Sequence, residues 1–132
     1  MRFGRLSLPT VLILGMATAP LAADPPSYSK QVRPFLTRYC SECHNAKDFQ
    51  GGLNLESYAM LMEGGQHGPV LVAGKADDSR IVGQLEGKRK PIMPPKKATR
   101  RPTPEEAAVL RAWIDAGAKD DGGSTVIALP DI

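Results

Sequence analysis

Cys40-Ser41-Glu42-Cys43-His44 is the stretch on which the reading of this chain turns. Two thiols three positions apart fall on one face of a helical turn, and an imidazole follows directly. C-x-x-C-H is the attachment sequence of a c-type haem. The thiols can add to the two vinyl groups of the ring and fix it by thioethers, while His44 falls under the ring and ligates iron. The motif uses both cysteines of the chain, which sharpens a pattern of only three fixed positions. Three plainer readings compete with it. A thioredoxin-type dithiol would follow a strand in a βαβ setting, and no strand pattern precedes Cys40. A zinc site would need a fourth ligand, for which only His67 or a carboxylate is at hand. A structural disulfide would leave His44 without a role.

The flanking segments fit a cofactor cleft. Val32, Phe35, Leu36 and Tyr39 recur at i, i+3, i+4 and i+7, which predicts an amphipathic helix starting near Ser29 or Gln31, with Pro34 in its first turn. Thr103-Pro104-Glu105-Glu106 predicts another helix start, with Thr103 as cap, Pro104 at the first helical position and Glu106 closing a capping box. Val109, Leu110, Trp113 and Ile114 form its apolar stripe and Gly117 its stop. A third, shorter helix is expected from Asp77 or Asp78, carrying Ile81, Val82 and Leu85. The rest is rich in Gly and Pro, 25 residues together, and reads as loop. Three short helices make a thin core, and a buried haem would supply the flat apolar bulk that aromatic side chains, 5% of the chain, do not.

Haem iron needs a second axial partner or an open site. The candidates are Met60, Met62, His67 and Met93. Met93 is preferred: it lies in Pro91-Ile92-Met93-Pro94-Pro95, where proline restricts the preceding residue, so a weakly binding thioether can be held at a fixed point. Met60 and Met62 belong to a short apolar run that reads as local core. His67, in a Gly-rich loop, reads as an exposed histidine.

The chain has 132 residues and a formal net charge of +3, a length for one domain rather than a multidomain enzyme. Residues 1–23 read as an export leader. Arg2 and Arg5 are followed by an uncharged apolar run from Leu6 to Ala19 and by small residues at Ala22 and Ala23. Cleavage is expected after Ala23; an uncleaved segment would act as an anchor. Without Arg2 and Arg5 the net charge falls from +3 to +1, which gives no general case for nucleic-acid binding.

With these pieces in order, the chain resembles a class I-type c cytochrome. More narrowly, it is similar to the planctomycete-type cytochrome c domains, over about Val32 to Ala118. Beyond the Cys40–His44 motif the likeness rests on Gly51-Gly52-Leu53-Asn54-Leu55, Gly64-Gly65, Gly68-Pro69-Val70, Gly74-Lys75, Ser79-Arg80-Ile81, Met93-Pro94-Pro95 and Trp113-Ile114-Asp115-Ala116-Gly117-Ala118. Asn45 stands where that family has glycine, and Ala73 where proline is common. The resemblance implies an all-α fold: a small helical unit wrapped around one covalent haem c, with long Gly/Pro-rich loops. It implies His44 as proximal and Met93 as distal ligand, and Pro69 as the residue whose carbonyl accepts the other N–H of His44, a contact that orients the ring. That places His67 near the proximal side. The expected organisation is a leader over 1–23, a cytochrome c domain over 24–118 and a tail over 119–132. The expected function is one-electron transfer between protein redox partners in the periplasm or an equivalent exported space. No catalytic residue, nucleic-acid partner or oligomer is expected, and membrane contact only through an uncleaved leader. The alternative is a haem-based sensor or peroxidase-like protein with an open or displaceable sixth site.

One charge feature remains. Lys88, Arg89, Lys90, Lys96, Lys97, Arg100 and Arg101 surround Met93, and no acid lies between Glu86 and Glu105. The plainer reading is a solvated loop whose charges partly offset the haem propionates. The functional one is a basic rim that steers an acidic redox partner.

Overall fold

The computed structural model describes residues 23–122, with isolated positions at 4, 9, 12, 15 and 17–19 before them. Most of the leader expected over 1–23 and the end of the tail, 123–132, therefore lie outside the described residues. Four α-helices follow one another: α1 (Arg33–Tyr39), α2 (Tyr58–Glu63), α3 (Arg80–Leu85) and α4 (Pro104–Asp115). Among the described residues there is no strand, only an isolated bridge between Gly65 and Gly68, and the unit is helical as expected. No helix of the described residues is long and apolar enough to cross a membrane.

The first helix starts earlier and less regularly than its apolar spacing alone predicts. A π-helical turn, Tyr28–Val32, runs into α1, capped by the Ser27 side chain, which accepts from the Lys30 amide. Pro34 sits in the first turn of α1, directly after the π-helical turn. Val32, Phe35 and Leu36 are buried. At the other end of the chain the capping box forms as expected: the Glu106 amide donates to Thr103 Oγ1, and the Thr103 amide donates to Glu106 Oε2. Leu110, Trp113 and Ile114 are buried on one face of α4, and Gly117 follows at φ +111, a conformation that suits glycine.

These two ends make the core. Tyr28, Tyr58 and Trp113 cluster, with Tyr28 5.2 Å from Tyr58 and 5.5 Å from Trp113 between ring centroids. Trp113 Nε1 donates to the Lys119 carbonyl, and the Tyr58 hydroxyl donates to that of Ala118. Asp121 accepts from the Ser27 hydroxyl and, at 2.8 Å, from the Ser29 amide. Residues 118, 119 and 121, on both sides of the boundary expected after Ala118, are thus tied to this core.

Two other expectations change. α2 fell in a stretch read as local core and loop; the Ser57 side chain, accepting from the Met60 amide, starts it. α3 begins at Arg80 rather than at Asp77 or Asp78. Ser79 is buried and turned back on its own loop: its hydroxyl accepts from the Val72 amide and donates to the Lys75 carbonyl. These bonds hold residues 72–79 out of the helix.

α3 is fastened to α4 by charge. Arg111 Nε and Nη2 donate to the two oxygens of Glu86, at 2.9 and 3.0 Å, and Nη1 reaches Asp77 at 2.8 Å. Lys88 adds a contact at 2.7 Å. Arg111 first and Lys88 second hold the Glu86 carboxyl down to about 2. A depressed carboxylate contributes stability that is fully present above its unfolded pKa, near 4.5, and is lost as pH falls through the folded value. We expect an acid-dependent loss of stability between about pH 4.5 and about 2, worth up to ~1 kcal/mol for a bidentate pair at the surface. Arg111→Ala should flatten that part of the profile, read by chemical denaturation at stepped pH.

Candidate haem site

α1 delivers the motif. Past Tyr39 the chain keeps turning: the Cys40 amide donates to the Leu36 carbonyl, and the Cys43 and His44 amides both donate to that of Cys40, at 3.2 and 3.1 Å. The two cysteines thus lie on one turn, and both are free thiols. Burial, followed by the neighbouring Cys43, pushes the Cys40 thiol up to about 12. Among the described residues no group of three or more His, Cys, Asp or Glu side chains could hold a metal ion.

Two adjoining hollows open on this turn. They share Cys40, His44, Gln50, Ile81 and Met93. One adds Phe35, Tyr39, Cys43, Leu85 and Pro94; the other adds Leu53, Leu55, His67, Val70 and Gln84. Both hollows open to solvent at their mouths. Their lining is mostly apolar, with three guanidinium-bearing residues, Arg38, Arg80 and Arg100, at the walls. An apolar cleft holding two thiols, an imidazole and a thioether, and cations for carboxylates, fits a haem.

The expected residues therefore meet as follows. Cys40, Cys43, His44 and Met93 line one cleft. Met93 is half-buried; its loop contains cis peptides before Pro91 and Pro94 and is tied to α3 by the Met93 amide, which donates to the Gln84 carbonyl at 3.1 Å. His67 also lines the cleft but is exposed, its Nε2 3.2 Å from Gln66 Nε2. Met60 is exposed beside a separate depression with Phe49, and Met62 packs against the core, so neither reaches the cleft.

Pro69 is a correction. It is exposed, and the carbonyl at His44 Nδ1, 2.9 Å away, belongs to Gln50. The reason is local. The chain turns tightly through Gln50–Gly52 with Gly51 at φ +66, and the Gln50 amide donates to the Cys43 carbonyl, so this loop folds straight back on the motif. The Gly51 carbonyl in turn accepts from the Gln66 amide. A Cβ on Gly65 would stand 2.7 Å from that carbonyl, and one on Gly64 2.4 Å from the Gly68 carbonyl, so both positions require glycine for the loops to close. The Gly51-Gly52 pair soon after His44 was the sequence signal for this turn; which carbonyl would meet the ring had no signal of its own.

Tyr39, at the cleft edge, donates its hydroxyl to Glu106 Oε2 at 2.7 Å and so joins α1 to the cap of α4. This bond raises the Tyr39 pKa. Glu106 is held below its usual value, first by the Thr103 amide and then by Tyr39.

Comparison with known proteins agrees with this geometry. Residues 40–97 match the family model described as planctomycete cytochrome C. A solved structure of Kuenenia stuttgartiensis hydrazine synthase is similar in fold, with a TM-score of 0.53 at 21% identity. The likeness covers 73% of this chain and 16% of that one, so this chain spans a small part of that protein's length. No curated protein matches the chain. The matched segment holds both thiols, His44 and Met93, so over residues 40–97 this chain is similar to the planctomycete cytochrome c family.

Proposed function

We propose that this chain is an exported monohaem c-type cytochrome that carries single electrons between protein redox partners, with no catalytic residue of its own. The observation that carries the reading is the meeting of Cys40, Cys43, His44 and Met93 in one cleft. Export rests on the leader-like segment 1–23, and the monomeric state on its small size alone.

Bound there, a haem supplies a one-electron change at iron, at a potential that methionine ligation raises. The chain's own residues do the rest. Cys40 and Cys43 would tether the ring through thioethers. His44, with Nδ1 at the Gln50 carbonyl, has its ring orientation fixed and its other nitrogen left for the metal. Met93 offers its thioether from the tied loop of residues 91–95. Leu53, Leu55, Val70, Ile81 and Leu85 exclude water from the ring faces, and Arg38, Arg80 and Arg100 are placed to meet carboxylates. His44 and Met93 would hold the iron between them, which would leave a substrate no open place to bind.

The test is the absorption spectrum of the protein made in a host that matures c-type haem. Sharp reduced bands and the weak far-red band of sulfur-ligated ferric haem are the expected result. A five-coordinate, high-spin spectrum would replace this reading with the sensor or peroxidase-like one. No covalent haem at all would overturn it.

A further inference from the structure

We propose that Phe49 and Met60 form an electron port behind the cleft, on the His44 side: a docking spot for a one-electron carrier protein whose contact face is apolar and basic. The proposal rests on the electron-transfer reading above.

The first argument is what the fold leaves outside. Among residues 23–122 the large apolar side chains left exposed are Phe49, Met60 and Val72, at 53%, 41% and 43%. Val72 stands apart, while Phe49 and Met60 line one depression, with Glu63 at its wall. Phe49 has φ +20, a backbone conformation that is costly for a bulky side chain, and it takes no part in the packed core. Folding alone gains nothing from a strained aromatic ring held in water. Covering it with another apolar surface does.

The second argument is what lies behind the depression. Gly52 and Gly64 line it, and their neighbours Gly51 and Gly65 line the cleft. The wall between the two is therefore backbone alone. Glycine keeps it thin: a Cβ on Gly52 would stand 3.1 Å from the Gln66 amide nitrogen. Phe49 is bonded to Gln50, whose carbonyl lies 2.9 Å from His44 Nδ1. A carrier seated on Phe49 thus reaches the axial imidazole through one residue of backbone and one hydrogen bond. One electron passes along that route, to or from the iron; no bond is made or broken, and the carrier is oxidised or reduced by the same one electron.

The third argument is charge, which says what kind of surface fits. Between positions 46 and 63 the chain has three carboxylates, Asp48, Glu56 and Glu63, against one cation, Lys47. Asp48 adjoins Phe49 in the chain, and Glu63 lines the depression. Glu56 accepts from the Ala46 amide and from Asn54, both lining residues. Among the described residues none of the three carboxylates is in an ion pair. An apolar spot rimmed by such carboxylates is complemented by an apolar protein face that carries lysine or arginine. The same rim repels an anionic lipid surface.

The experiment titrates the reduced, isotope-labelled holo-protein with tris(phenanthroline)chromium(III). This apolar trication carries the chemistry of the inferred face, is redox-inert here, and broadens nearby amide signals through its unpaired spins. Broadening should centre on residues 46–49 and 60–64. Phe49→Asn with Met60→Gln should weaken binding of the complex roughly 10-fold, and Val72→Gln should leave it unchanged. Asparagine tolerates a positive φ, so the thermal midpoint of the double variant should not fall. Hexaamminechromium(III), with the same charge and no apolar ligand, should broaden the same signals far less. Electron passage is read by stopped flow with tris(phenanthroline)cobalt(III), which takes one electron from the haem and becomes the cobalt(II) complex. Its rate should fall roughly 10-fold in the double variant, while the rate with ferricyanide, a polar anion, stays level. Equal broadening by the two chromium complexes, or broadening at Ala98 and Arg100 in place of Phe49 and Met60, would overturn the proposal. So would an unchanged cobalt rate in a variant that no longer binds the chromium complex, or a lower midpoint that makes Phe49 a structural residue. Self-association of the wild type that the double variant loses would assign the patch to a second copy, and binding to phosphatidylcholine vesicles would assign it to a membrane; either overturns the proposal. Failure of the electron-transfer reading would look different: neither oxidant would change the haem spectrum, while the broadening at Phe49 and Met60 would persist.

Discussion

Replacing Cys40 and Cys43 together by alanine is expected to leave a protein from which all haem is extracted by acidified acetone, whereas the unaltered protein keeps its pigment through the same treatment. The effect is all or none because the chain has only these two cysteines. Both are free and stand on the turn that closes α1. Thioether formation adds S–H across a vinyl group, so every atom of both partners is kept and no oxidant is consumed. The high pKa of Cys40, about 12, means that the deeper sulfur waits as a thiol and not as a reactive thiolate. Each single variant should keep one thioether and resist extraction, at lower yield. The double variant should also lose stability. The ring over the cleft walls Leu53, Leu55, Val70, Ile81 and Leu85 is then held without a covalent bond and can leave, and a lower thermal midpoint is the expected reading. Pigment that survives extraction in the double variant would end the attachment argument.

How far the chain could be read beforehand follows from what each feature depends on. α1 and α4 were legible because an apolar stripe and a start signal coincide in each, with Pro34 and Pro104 marking first turns and Thr103 with Glu106 closing a box. α2 was not, because its six residues are too few to show a period and its apolar run reads equally well as packed loop. The start of α3 was misplaced because the Ser79 hydroxyl bonds back to both Val72 and Lys75, a loop closure that an apolar period does not reveal. At the site, the side chains with chemistry of their own were visible: Cys40, Cys43, His44 and Met93. The group that meets His44 Nδ1 was not, since a carbonyl belongs to every residue. The analogy that pointed to Pro69 gave way to Gln50, which a tight glycine turn brings back onto the motif. Arg80 and Arg100 line the cleft; Arg100 was read only as one of seven loop charges, and Arg80 only as part of a family pattern, so neither was singled out.

Met93→Ala should abolish the far-red band of sulfur-ligated ferric haem and lower the midpoint potential by on the order of 100 mV, the direction expected when a thioether that favours the reduced metal is lost. The structure narrows the possible substitutes. Of the other candidates, Met60 lies at a separate depression and Met62 packs in the core, so neither can take over without unfolding α2. Only His67 shares the cleft. It is exposed, next to Gln66, on the loop that meets the Gln50–Gly52 turn, the side from which His44 is oriented. His67→Ala is therefore expected to leave both the band and the potential in place. The two variants together give a sharp reading of the ligand set. Loss of the band in Met93→Ala alone supports the His44/Met93 pair. An unchanged spectrum in Met93→Ala would remove Met93 from the iron, and a changed one in His67→Ala would place an imidazole there instead. Because a second histidine holds the oxidised metal more firmly than a thioether does, that outcome would also mean a lower potential in the unaltered protein, and a partner of correspondingly lower potential.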